Sequence, residues 1–201
     1  MAAVETLSIP LSEEDALRAQ VYRLLAFYLR QAPDSAGLSL AAGMSGDESP
    51  LGKAITALAR IAKASDAEMI SREYHDLFIG VGRGELLPYA SYYLTGFLNE
   101  KPLAKLRGDM AELGIARQEG VKEPEDHMAA ICEMMAGLIE EEFGGAGGLE
   151  QQKKFFEMHL SPWASHFFSD LEAANASVFY ASLGNAGKAF IAIEEAAFEM
   201  V

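Results

Sequence analysis

The chain has 201 residues, half of them apolar, and a formal net charge of −14. That length can bury a substantial core, and the apolar share excludes a disordered chain. The charge argues against nucleic acid, whose phosphates need Lys and Arg for neutralisation, and against stable association with an anionic membrane.

A single cysteine, Cys132, excludes an internal disulfide framework and points to a reducing compartment. Residues 1–10 lack the basic and apolar regions of a signal peptide, and no apolar run reaches the length of a membrane span. A cytoplasmic setting is therefore expected. The acidic balance suits solubility or a basic partner.

In chain order, Ser12-Glu13-Glu14-Asp15 reads as a capping box with Asp at its last position. Ala16, Leu17, Val21, Leu24, Leu25, Tyr28 and Leu29 then recur at helical spacing, and Pro33 stops the helix. Residues 34–50 read as loop with at most one turn of helix. A helix is predicted over 51–63. Ser65-Asp66-Ala67-Glu68 caps another, which runs through Met69, Tyr74, Leu77 and Phe78. Gly80, Gly82 and Gly84 break the chain, but without the strand and helix that a phosphate-binding loop needs.

The aromatic stretch 88–98 reads as helical. Pro102 opens the next helix and Gly114 closes it. Pro124 fits the first position of a helix running over 124–143, with Glu125 and Asp126 in its first turn, where the helix dipole favours acids. Residues 144–148 read as a flexible linker. Helices over 149–159, 162–174 and 177–200 complete an all-α, multi-helix bundle with no strand and no repeat.

Catalytic and metal signals are weak. His159 and His166 are separated by Pro162, His75 has no second histidine at ligand spacing, and no Walker loop is present. Cys132 follows His127 by five residues, which does not align the two on one helix face. Met128, Met134 and Met135 read as core, as do Trp163 and Phe167; the alternative for the methionines is an adaptable apolar groove.

Three motifs stand in order: Glu73-Tyr74-His75-Asp76-Leu77-Phe78-Ile79-Gly80, then Pro88-Tyr89-Ala90-Ser91-Tyr92-Tyr93, then Glu123-Pro124-Glu125-Asp126-His127. Together they resemble the TorD/DmsD family of cytoplasmic chaperones for molybdenum-cofactor enzymes, related to the NarJ group. The resemblance covers about residues 12–200 and is specific from Glu73 to His127. It implies one helical domain over 1–201, with an N-terminal subdomain of about 12–120, a hinge of about 114–127 and a C-terminal subdomain of about 124–200.

The resemblance also implies no catalysis. It implies binding of the twin-arginine leader and apo form of a molybdoenzyme catalytic subunit, with assistance to cofactor insertion and delayed export. It leaves open GTP binding and a choice between monomer and domain-swapped dimer. Where relatives serving dimethyl-sulfoxide-type reductases carry Pro-Pro-Trp, this chain has Leu87-Pro88-Tyr89. The client is therefore open among formate dehydrogenase, trimethylamine-oxide or dimethyl-sulfoxide reductase, and other members of that group.

The residue chemistry fits. Carboxylates bind guanidinium through charge-assisted, often bidentate bonds, which Glu123, Glu125 and above all Asp126 can supply beside Pro124. Tyr89, Tyr92, Leu77 and Phe78, with Pro88, can receive an apolar stretch, and tyrosine faces stack on arginine; for Leu77 and Phe78 plain core is the favoured alternative. His127 orients Asp126 or reports pH, and Ser91 belongs to the peptide site or only caps the following helix. Two rival readings are a weak nucleotide hydrolase using Asp126 and His127, and a helical scaffold for a mature partner surface.

Overall fold

A computed structural model describes residues 11–117, 120–144 and 148–201. The described chain forms α1 (Glu13–Arg30), α2 (Ser35–Ala42), α3 (Pro50–Ala64), α4 (Ala67–Tyr74), α5 (Ala90–Thr95), α6 (Lys101–Glu112), α7 (Met128–Ile139), α8 (Leu149–His159), α9 (Ala164–Ala173) and α10 (Phe179–Glu199). A π-helical turn, His75–Ile79, extends α4. The all-α expectation holds. Among the described residues the extended pairing is one isolated antiparallel bridge, Tyr89 with His127.

Local chemistry explains most boundaries. Ser12 Oγ accepts the Asp15 N–H at 3.0 Å, the N-cap half of the predicted box, and its hydroxyl donates to the Asp15 carboxylate at 2.7 Å. Asp66 rather than Ser65 caps α4, accepting the Met69 N–H at 2.9 Å. Gly114 turns the chain after α6 with φ of 72°.

Three expectations need correction. Residues 34–50 hold a two-turn helix, α2, because Asp34 accepts the Gly37 N–H and Tyr28 Oη donates to the Gly37 carbonyl. On α1 the buried face is Ala19, Tyr22, Leu25, Ala26, Tyr28 and Leu29, while Leu17 faces solvent. The 124–143 helix begins at Met128 and ends at Ile139; Pro124 to His127 form a turn ahead of it. Of the expected linker 144–148, residues 145–147 lie outside the described residues.

The core is organised on α7, in which 10 of 12 residues are buried, an all-round apolar helix that needs neighbours on every side. α1 lies along α7, and α8 packs on it as well; α10 packs on α9 and α3. Gly184 and Gly187 let α10 approach α9: a Cβ at Gly187 would stand 2.4 Å from the Phe168 ring. One core runs from Ala19 to Phe198 and draws on both sides of segment 114–127.

A buried charge network ties α1 to α10. Glu194, fully buried, takes two bonds from Arg18 at 2.7 and 2.9 Å and one from Tyr22 Oη at 2.9 Å. Arg18 also reaches Asp15 and Gln152 at 2.8 and 3.1 Å. Such a pair is tolerable in the interior because most of the bonding capacity of both ions is used.

Candidate functional site

The second and third sequence motifs meet in space. Pro88 carbonyl accepts the Met128 N–H at 2.8 Å, and Asp126 carbonyl accepts the Ala90 N–H at 3.0 Å. Asp126 Oδ2 accepts the Ser91 N–H at 2.9 Å, so a residue 35 positions away supplies the acceptor for the start of α5. The Tyr89 and His127 rings stand edge to face at 5.2 Å. His127 is the N-cap of α7, and its Nδ1 accepts the Ala129 N–H at 3.1 Å.

The turn ahead of α7 parts these side chains between two cavities. Glu123, Glu125 and His127 line one cleft of about 360 Å³, floored by Met110, Ile115, Ala129, Ala130, Met134 and Phe143. Glu133 and Glu142 add carboxylates to it, and Arg23, Arg30 and Arg117 add cations. Asp126 lines a different cavity of about 450 Å³ between α5, α6, α7 and α8, with Leu106, Ile131, Lys101 and Lys105. The carboxylates therefore do not form the single rim expected from a helical first turn, and Asp126 is 1% exposed. Nor do Asp126 and His127 converge on one substrate, as a hydrolase would require.

Ser91 does not cap a helix as expected. It is the second residue of α5, fully buried, and its Oγ and Asp126 Oδ1 have no hydrogen-bond partner among the described residues.

The cleft carboxylates differ in environment. Glu123 is exposed and accepts the Tyr89 hydroxyl; burial and that bond hold the Tyr89 phenol well above its ordinary range. Glu125 is buried, and Arg107 grips its Oε2 through Nε at 2.9 Å and Nη2 at 2.8 Å. Burial alone would raise the Glu125 carboxyl, but the Arg107 bond and the charges of Arg107 and Arg117 outweigh it and hold it low. Burial raises the Glu133 carboxyl, against the opposing charges of Arg30 and Arg23. Burial also lowers His127 to about 4, so it is neutral at pH 7, with its remaining proton on Nε2 because Nδ1 accepts.

The first motif is architectural. Glu73 accepts the N–H groups of Val178 and Tyr180 at 2.8 and 2.7 Å, capping α10. Tyr74 Oη donates to the Arg30 carbonyl at 2.9 Å. Leu77 is fully buried, in line with its core reading and against a peptide contact; Phe78 is half-buried against the Tyr74 and Tyr180 rings. Pro88 is buried, whereas Pro124, Tyr89 and Tyr92 are half-buried. The Tyr92 ring carries Arg83, whose Nη2 donates to its hydroxyl at 2.6 Å.

Sequence reasoning missed Arg30, Arg107, Arg117 and Glu133, which come from α1, α6, the segment after α6, and α7. No spacing in the chain signals their convergence. Cys132 is fully buried and burial pushes its thiol up, so it is a core residue and not a nucleophile.

Comparison with known proteins agrees with this architecture. The family model described as nitrate reductase delta subunit matches residues 45–169. A chaperone protein TorD from Vibrio atlanticus is 31% identical over 151 residues, covering 70% of this chain and 69% of that one. A TorD chaperone from Vibrio parahaemolyticus is 28% identical over 170 residues, 79% of each chain. A solved structure from Archaeoglobus fulgidus, described as that of a redox enzyme maturation protein, superposes with a TM-score of 0.57 over 94% of this chain and 99% of the other, at 22% identity, which speaks to the fold. The all-helical architecture, the meeting of the two motifs and these matches together establish that the chain belongs to the TorD/NarJ family, whose curated relatives are named as chaperones and not as catalysts.

Proposed function

We propose that this protein is a maturation chaperone for a molybdenum-cofactor oxidoreductase and that it binds the twin-arginine leader of the catalytic subunit. The observation that carries the reading is the cleft beside His127: carboxylates of Glu123, Glu125 and Glu133 stand around an apolar floor. A leader offers guanidinium groups and an apolar stretch, and both halves of that chemistry find counterparts here. The cleft volume of about 360 Å³ takes a few side chains and not a folded domain. The net charge of −14 draws a basic segment toward the protein over a distance set by ionic strength. In this reading the chaperone holds the unexported apoenzyme until its cofactor is in place.

The test is calorimetric titration with leader peptides from candidate molybdoenzymes, each beside its Arg-Arg to Ala-Ala form. The expected result is saturable binding of one leader, weakened both in its Ala-Ala form and in Glu123→Gln protein. Equal binding of the two forms, or binding of no leader, would overturn the reading.

A further inference from the structure

Glu125 presents its two oxygens unequally. Oε2 receives both contacts from Arg107, at 2.9 and 2.8 Å, the length of charge-assisted bonds. Oε1 faces Arg117 at 3.5 Å, beyond that length. Among the described residues Arg117 places its short bond elsewhere, donating from Nη2 to the Glu123 carbonyl at 3.0 Å. Its side chain is 38% exposed, against 10% for that of Glu125. Glu125 and Arg117 both line the cleft, whereas Arg107 does not.

Resting on the leader-binding reading above, we infer that Glu125 Oε1 is the receptor atom for an incoming arginine, and that Arg117 is its resident competitor. Arg107 has the structural part: it keeps the buried carboxylate ionised and aimed while leaving one oxygen open. Arg117 neutralises that oxygen loosely when the cleft has no peptide. A leader guanidinium replaces a long contact with a short one, and Arg117 swings to solvent, which already covers part of it. Arg107 stays on Oε2 throughout, so the carboxylate is never buried unpaired, the state that costs most. A lysine, with a point charge in place of a planar fork, gains less from the same oxygen, which makes Glu125 a discriminator for arginine.

The probe is a synthetic peptide with two adjacent arginines ahead of an alanine–leucine stretch, with Lys-Lys and Ala-Ala versions, titrated by calorimetry into the full chain. Arg117→Gln removes the competitor. Arg60→Gln, exposed on α3, removes the same charge away from the cleft and corrects for general electrostatics. The expected result is that Arg117→Gln binds the Arg-Arg peptide about three- to fivefold tighter than wild type, the scale of a part-exposed ion pair. Arg60→Gln gives no comparable gain, and adding Glu125→Gln abolishes the gain. Arg117→Lys, which weakens the competitor with little effect on folding, changes binding in the same direction. Binding of the Arg-Arg peptide that is unchanged or weaker in Arg117→Gln, or a gain matched by the Ala-Ala peptide, overturns the exchange and leaves leader binding standing. Binding of no peptide by any of these proteins overturns both.

Discussion

His127 should make the protein lose stability as the solution is acidified from neutral. Folded, its imidazole is held at about 4 by burial, a desolvation that the neighbouring Asp126 charge only partly offsets and the Arg30 charge reinforces; its ordinary value is 6.5. Below the ordinary value the unfolded chain binds a proton that the folded protein refuses, so folding stability falls with pH until the folded group also protonates. The contribution is complete above neutrality and lost between the two values. Integrating over this gap gives a loss of about 2 kcal/mol between pH 7 and pH 5 and about 3 kcal/mol by pH 4. His127→Asn keeps an acceptor for the Ala129 N–H and removes the titration. Urea unfolding followed by circular dichroism should then show a smaller fall in stability for the variant than for the wild type over the same pH interval. The other ionisable groups, including His159, are common to both proteins and cancel in the difference. Parallel pH dependence in wild type and His127→Asn would refute the buried neutral imidazole and, with it, the rigid pairing of the two motifs.

Two further outcomes are expected. Glu194→Gln leaves Arg18, with a side chain 12% exposed, without its bidentate partner and should cost about 3–5 kcal/mol in urea unfolding; a cost below about 1 kcal/mol would mean the network is solvated. Asp126→Ala frees the Ser91 N–H and should cost about 1 kcal/mol, with faster amide exchange at Ser91 as the local readout; unchanged exchange would deny Asp126 its capping part.

Much of the fold was legible from local chemistry. Ser12, Pro102 and Gly114 act through the few residues beside them, and their helices begin and end close to the predicted positions. The error at Pro124 has a tertiary cause. Proline followed by acids is a sound helix start, but Pro88 and Ala90 bond to the backbone of Met128 and Asp126, and residues 124–127 close into a turn that no local pattern announces. On a helix Glu125 and Asp126 would both border the start of α7; in the turn they part to separate cavities. The motif therefore marked the cleft, and Glu123, Glu125 and His127, which line it, stood in that motif. Arg107 and Arg117, which decide the state of Glu125, were not, because their only signal is proximity in the fold.

The Arg18–Glu194 pair also sets an order of events during synthesis. The two residues are 176 positions apart, so α1 leaves the ribosome long before its partner exists. Until α10 arrives, Arg18 and Tyr22 lack the carboxylate that lets them turn inward, and α3 and α9 lack the helix that covers them. The cleft wall that α1 contributes through Arg23 and Arg30 rests on α7 and the turn after it, through Glu133, Glu140 and Glu142, so what waits for Glu194 is the Arg18 end of α1. A nascent copy is itself an unfinished apolar surface, and covering α3 and α9 is a late step of its own maturation.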